Sequence, residues 1–331
     1  MKLIIQIPAL NEEDTIKTAI AALPRDVPGF SSVRVLVIDD GSSDRTVSRA
    51  IEAGADHILS MESNVGLARA FMAGIEEALR LGADVIVNTD ADNQYCADDI
   101  PALVEPILHR RAQIVVGARP ITEIESFSPL KKLLQRLGSW VVRQASGTDI
   151  PDAPSGFRAY TRDAAARLCV TNTYSYTLET IIQAGRKSIP MTSVPVRVNP
   201  VTRPSRLFRS MRQYIIRSMK TILRVSIVYA PLRFFFTLAA ITALPGLGGV
   251  TRFLWFYVNG AGNGHIQSLV LSGALLAIAT VFAMIGILAD LIATNRLLLE
   301  DIRARSLLRD HPHDNASMKP AKRVLNVVRA S

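Results

Sequence analysis

The sequence predicts an α/β domain on a mostly parallel sheet, followed by a membrane-interface helix and two transmembrane helices. Three observations carry this prediction. Through residues 1–200, short continuous apolar runs alternate with segments of helical period, as in strands buried on both faces of a parallel sheet. Acids and amides gather just after several of these runs, where ligands sit in open α/β sheets. Beyond them a basic stretch leads into two long, nearly uncharged spans.

Residues 3–7 read as the first strand. Closed by Pro8, they are too short for the apolar region of a secretion signal. Residues 12–22 have helical spacing, with Asn11 as the N-cap. Residues 33–38 form a second strand that runs into Asp39-Asp40-Gly41-Ser42-Ser43-Asp44. A helix over 45–53 and a short strand over 57–60 follow. Apolar repeats at Leu67, Ala70, Ile75, Ala78 and Leu79 predict a helix over 66–81. Strands are expected at 84–88 and 114–117.

The chain changes character near Arg203. As a helix, residues 206–224 set Arg206, Arg209, Arg217, Lys220 and Arg224 against Leu207, Phe208, Met211, Ile215, Met219 and Ile222, the pattern of a helix lying in a membrane interface. Residues 234–258 carry one charge, Arg252, and residues 268–294 carry one, Asp290. Each is long enough to cross a bilayer. Gly246, Gly248 and Gly249 kink the first span or let the helices approach closely. The outer flanks are basic, which places the N-terminal domain and the tail in the cytosol. Residues 311–331 read as polar, basic and unfolded. The organisation is therefore 1–202 for the α/β domain, 203–232 for the interface helix, 233–296 for the spans and 297–331 for the tail.

Composition excludes several classes. Two cysteines, Cys96 and Cys169, are too few for a disulfide framework, and five histidines form no HExxH cluster. The net charge of +9 is concentrated: residues 203–233 hold eight Lys/Arg and no acid. That basic charge sits against apolar spans, which suits anionic lipid better than nucleic acid.

The chemistry centres on Val87-Asn88-Thr89-Asp90-Ala91-Asp92-Asn93-Gln94-Tyr95. In an extended segment Asp90, Asp92 and Gln94 share one side. Two carboxylates forced together repel unless a proton or cation relieves them. Oxygen-only donors favour Mg²⁺ or Mn²⁺.

Ile7-Pro8-Ala9-Leu10-Asn11-Glu12-Glu13, the Asp39–Asp44 run, Asn64-Val65-Gly66-Leu67-Ala68-Arg69-Ala70 and Asp90-Ala91-Asp92 come in the order of the nucleotide-sugar motifs of family 2 glycosyltransferases. The chain resembles that family over residues 1–200, and within it the polyprenyl-phosphate sugar synthases of the dolichol-phosphate mannose synthase type. The resemblance implies a GT-A, Rossmann-like fold. It also implies that Pro8, Ala9, Asn11 and Glu12 line the nucleotide pocket, that Asp40 holds the base or ribose with Asp39 beside it, and that Asp90, Asp92 and Gln94 bind a metal bridging the diphosphate. Arg119, in Gly117-Ala118-Arg119, is implied to meet phosphate. Arg158, in Ser155-Gly156-Phe157-Arg158, is implied on the acceptor side. Arg203 and Arg206 stand in a basic loop that closes over the donor; Arg206 replaces the lysine of many relatives, keeping charge but not geometry.

The implied reaction is inverting transfer of one sugar from a UDP- or GDP-sugar to polyprenyl phosphate, in a bacterial or archaeal plasma membrane. A lipid phosphate is already ionised and needs no strong base. A hydroxyl acceptor, on a glycolipid or polysaccharide, would need one, and Asp152 is then the candidate. Glu179 stands at a helix start near the acceptor cleft with its role open. A processive synthase is disfavoured by the lack of a Q-x-x-R-W motif, and a non-catalytic membrane scaffold by the intact Asp90, Asp92 and Gln94. Small residues in the spans permit self-association.

Overall fold

A computed structural model describes residues 1–120, 143, 146–170, 176–199, 223–224, 227–260, 266–311 and 325–328. The interface helix expected over 206–224, with Arg203 and Arg206, lies almost wholly outside them. The chain forms two compact units, one of Met1–Gln213 with Glu300–Ser331 and one of Tyr214–Leu299.

The first unit is an α/β sheet. Its elements are β1 (Lys2–Ala9), α1 (Ile16–Ala21), β2 (Ser32–Asp39), α2 (Thr46–Glu52), β3 (His57–Met61), α3 (Leu67–Arg80), β4 (Val85–Asn88), α4 (Ile100–Leu108) and β5 (Ile114–Ala118). They continue with β6 (Arg158–Thr161), α5 (Arg162–Arg167), α6 (Thr177–Arg186) and β7 (Met191–Pro195). The strand order is β7-β5-β6-β4-β1-β2-β3-β8, where β8 is Leu325–Val328. Pairings among β1 to β4 are parallel, as are β5–β7 and β3–β8; only β6 runs antiparallel, to both β4 and β5.

The apolar runs explain the centre of the sheet. All eight residues of β1 are buried, because it lies between β2 and β4 with helices over both faces. Helix α3 lays Phe71, Ile75, Ala78 and Leu79 against the sheet, its other face carrying the polar residues. Each large aliphatic side chain buried this way contributes about 1.5–3 kcal/mol. The strand order reverses at β1, so the ends of β1, β2 and β4 open onto one crevice.

Residues 297–310, the first part of the segment assigned to the tail, continue a helix to Asp310. Two expectations are corrected. Asn11 does not cap α1, which starts at Ile16; it adopts a left-handed φ of 54° and bonds across to the β2–α2 loop. Residues 325–328, read as unfolded, pair in parallel with β3, whose free edge offers unpaired backbone groups.

The second unit holds α7 (Pro231–Val258) and most of α8 (Ile266–Asp310). Both are long and apolar enough to cross a membrane, and few of their residues are buried, unlike those of a buried core helix. The helices meet through small residues. A Cβ on Gly246 would press on Leu275 and Leu276, and one on Gly249 on Ser272, whereas Gly248 faces open space. From Glu300 onward α8 belongs to the first unit, where Glu300 pairs with Lys187 at 2.7 Å and Arg303 donates to Glu76 and to the Leu168 carbonyl.

Candidate active site

The crevice is built from three loops. The first two, after β1 and β2, interlock. Asn11 N–H donates to Ser42 Oγ at 2.9 Å and its Oδ1 accepts from Ser43 N–H at 2.9 Å. Glu12 N–H donates to Thr46 Oγ1 at 2.8 Å. Asp39 accepts from Ser42 N–H at 3.1 Å. The tight turn needs Gly41: its φ is 74°, and a Cβ there would lie 2.6 Å from the Ser63 carbonyl carbon. Pro8 and Ala9, at the end of β1, are buried beneath this turn.

Asp40 is buried, and its carboxylate accepts from Val65 N–H at 2.7 Å and Gly66 N–H at 3.0 Å. Burial pushes its pKa up, and the two N–H bonds pull part of the way back. The residue expected to hold the base or ribose thus pins the loop that opens α3.

The third loop follows β4. Asp90 packs directly on Gly156: a Cβ there would stand 2.9 Å from both carboxylate oxygens and 3.0 Å from Tyr176 Oη. Burial first, and the neighbouring Asp92 charge second, raise the Asp90 pKa to about 7, against the pull of Arg119 and Arg158. Asn93 takes a left-handed φ of 56°, and Asp92 Oδ1 accepts from Gln94 N–H at 3.1 Å.

Beneath this loop runs a buried polar chain. Gln6 Nε2 donates to Asn88 Oδ1 at 2.9 Å; Asn88 Nδ2 donates to the Gly156 carbonyl and to Tyr176 Oη, each at 2.8 Å. Tyr176 stacks on Phe71 at 3.9 Å. Gly156 N–H donates to Tyr95 Oη at 2.9 Å, and the Tyr95 ring stacks on Phe157. None of Gln6, Asn88, Tyr95 or Tyr176 was expected at the site. One signal was available: Gln6 and Asn88 are polar residues inside apolar strands, and they are register partners.

Two arginines have partners within the chain. Arg119 forms a bidentate pair with Asp152, 2.7 Å from Nε and 3.0 Å from Nη2, and its own N–H adds a third bond at 3.2 Å. Asp152 is 1% exposed. It is locked to a guanidinium rather than offered as a base. Arg158 is 0% exposed; its guanidinium donates to the carbonyls of Ser155 and Ala153 and to Thr180 Oγ1. These bonds brace the turn that carries Gly156. Glu179 is half-buried in the first turn of α6.

Among the described residues no three His, Cys, Asp or Glu side chains cluster as a metal site. What the third loop offers is two adjacent half-buried carboxylates and an amide. That set fits a hard dication that keeps most of its ligands as water and phosphate.

A three-loop crevice at the carboxyl edge of a mostly parallel sheet defines a GT-A-type transferase domain. Solved structures agree: the chain superposes on glucosyl-3-phosphoglycerate synthase from Mycobacterium tuberculosis, crystallised with Mn²⁺, UDP-glucose and phosphoglyceric acid, with a TM-score of 0.53 at 22% identity over 68% of this chain and 78% of that one. The match establishes shared fold only. The model of glycosyl transferase family 2 matches residues 4–169, half of the chain, and the protein belongs to that family and is a glycosyltransferase. Relatives include the UDP-N-acetylglucosamine–dolichyl-phosphate N-acetylglucosaminyltransferase of Methanococcus voltae, 29% identical over 58% of this chain and 83% of that protein. The undecaprenyl-phosphate mannosyltransferase of Micrococcus luteus is 28% identical over 59% and 83%.

Proposed function

We propose that the protein transfers one sugar, with inversion, from a UDP- or GDP-sugar to polyprenyl phosphate at the cytosolic face of a membrane. The observation that carries this reading is the half-buried Asp90 beside Asp92, set against Gly156 at the mouth of the crevice. Relatives named for dolichyl or undecaprenyl phosphate supply the acceptor class. The two apolar helices suit an acceptor whose headgroup lies at a bilayer surface.

Asp90, Asp92 and Gln94 would hold Mg²⁺ or Mn²⁺, which when bound neutralises charge developing on the leaving diphosphate. The chain does the rest by placement. The interlocked Asn11–Ser43 and Glu12–Thr46 loops, over Pro8, Ala9 and Asp39, form the nucleotide side of the crevice. Asp40 holds the neighbouring loop closed against it. Arg119, held rigid by Asp152, adds fixed positive charge beside Asp90. Arg203 and Arg206 would supply the basic loop over the donor. The acceptor phosphate arrives ionised, so attack on the anomeric carbon needs no proton removed. The locked Asp152 fits that requirement and disfavours a hydroxyl acceptor.

The test offers membranes containing the protein, with Mn²⁺ and polyprenyl phosphate, labelled UDP-glucose, UDP-galactose, UDP-GlcNAc and GDP-mannose in turn. Label from one donor should enter the organic phase, and Asp92→Asn should lower it on the order of 100-fold or more. No lipid label from any donor, with nucleotide still bound, would overturn the lipid-phosphate acceptor or the donor class.

A further inference from the structure

Asn199 lies just past β7, more than a hundred residues from the acidic loop, yet it bonds three consecutive carbonyls of that loop. Its Nδ2 donates to Asn93 O at 2.9 Å and to Tyr95 O at 3.2 Å, and its backbone N–H donates to Gln94 O at 2.8 Å. The neighbouring residues continue the contact: Tyr95 pairs antiparallel with Val198, and Cys96 N–H donates to the Arg197 carbonyl at 3.2 Å. Outside this short ribbon, Arg197 forks onto Asp99 at the surface.

The loop needs such a clip. Asn93 sits at a left-handed φ of 56°, a conformation that non-glycine residues adopt at some cost. That bend folds Asp92 back over Gln94 N–H and turns the carbonyls of Asn93, Gln94 and Tyr95 toward Asn199. The backbone N–H answers the middle carbonyl, and the side chain must answer the two that flank it. An amide brings two donors on one short arm. Serine brings one donor, and aspartate none, with a charge that would repel the carbonyls.

We propose that Asn199 is a positioning residue for the reaction: it fixes the backbone from which Asp92 and Gln94 reach the dication and the donor diphosphate. The inference rests on the metal-site reading above. Asn199 touches neither sugar nor phosphate. It acts through the loop, as outer partners of metal ligands do, whose loss typically weakens metal binding ~10–100-fold.

The experiment measures Mn²⁺ binding directly, by the loss of the free-ion electron paramagnetic resonance signal, on the full chain in detergent with UDP and, separately, GDP. Asn199→Ala should weaken Mn²⁺ binding at least ~10-fold while its thermal midpoint stays close to that of the parent. Asn199→Asp, nearly isosteric, should weaken it further and holds the test open should the alanine variant fold poorly. Arg197→Ala removes the exposed ion pair of the same ribbon without touching the three carbonyls, and should bind Mn²⁺ like the parent. Unchanged Mn²⁺ binding in both Asn199 variants overturns the proposal, as does an equal loss in Arg197→Ala, which would assign the effect to the ribbon at large. Asp92→Asn is measured alongside. If it too binds Mn²⁺ like the parent, the metal-site reading falls and takes this inference with it; if it alone loses Mn²⁺, only the role of Asn199 is lost.

Discussion

A carboxylate that accepts two bonds from one guanidinium has both of its oxygens committed to that partner. Asp152 is in that state, and nearly buried as well. Removing one partner of such a pair leaves the other charge stranded, at a cost of about 3 kcal/mol or more. Asp152→Asn should therefore lower unfolding stability by roughly that amount, read by thermal or urea unfolding in detergent, with sugar transfer falling because Arg119 is no longer held. A variant with the parent's unfolding midpoint and no transfer would instead restore a catalytic role to Asp152. At this scale the sequence showed which residues stand in motifs but not what each one faces. Asp40, Asp152 and Arg158 stand in legible motifs, yet their partners, Val65 and Gly66, Arg119, and Thr180, come from contacts that no local spacing reveals.

The elements were legible where burial imposes a continuous apolar run, and hidden where it does not. Strands β1, β2 and β4 read plainly from their apolar residues. Strand β6 is only four residues long and opens on Arg158, a charge that looks like surface until its buried acceptors are seen. Helix α4 carries Pro101 and Pro106, which read as breakers, although Pro101 falls in the first turn, where a missing N–H costs little. The ribbon of 197–199 on 94–96 joins segments a hundred residues apart, beyond any periodicity. One inter-element tie has a pH signature. Asp56, just before β3, accepts from Arg25 at 2.7 Å, from Arg34 at 2.8 Å and from Val35 N–H on β2 at 2.9 Å. Burial alone would raise its pKa, but these donors outweigh it and hold the pKa below the ordinary carboxylate value. A depressed pKa means the folded state binds the proton less tightly than the unfolded chain. The stabilisation is therefore full above the ordinary carboxylate range and is lost as pH falls through the folded value. Asp56→Asn should cost about 2 kcal/mol at neutral pH, and the gap to the parent should close on acidification. A gap independent of pH would contradict this account.

At the scale of the whole molecule, the sequence pattern and the second unit together set the expected topology. The spans are read from length and lack of charge, and the structure adds how the hairpin holds: Gly246, Gly249 and Ser272 let two backbones approach without polar groups facing lipid. Exposed aromatic residues, Trp255 and Tyr257, mark the end of α7 next to the short connection, as interfacial residues do. The opposite ends carry the charge, with Arg233 before the first span and Arg296, Arg303, Arg305 and Arg309 after the second. Basic flanks stay on the cytosolic side, so the connection should lie outside and the transferase unit within reach of cytosolic nucleotide sugars. With Cys96 and Cys169 replaced by serine, a membrane-impermeant maleimide should label Asn259→Cys in intact cells. Ser306→Cys, on the last turns of α8, should react only after the membrane is opened. The reverse pattern would place the crevice on the far side, away from the nucleotide sugars it is proposed to use, and would overturn both the topology and the donor assignment.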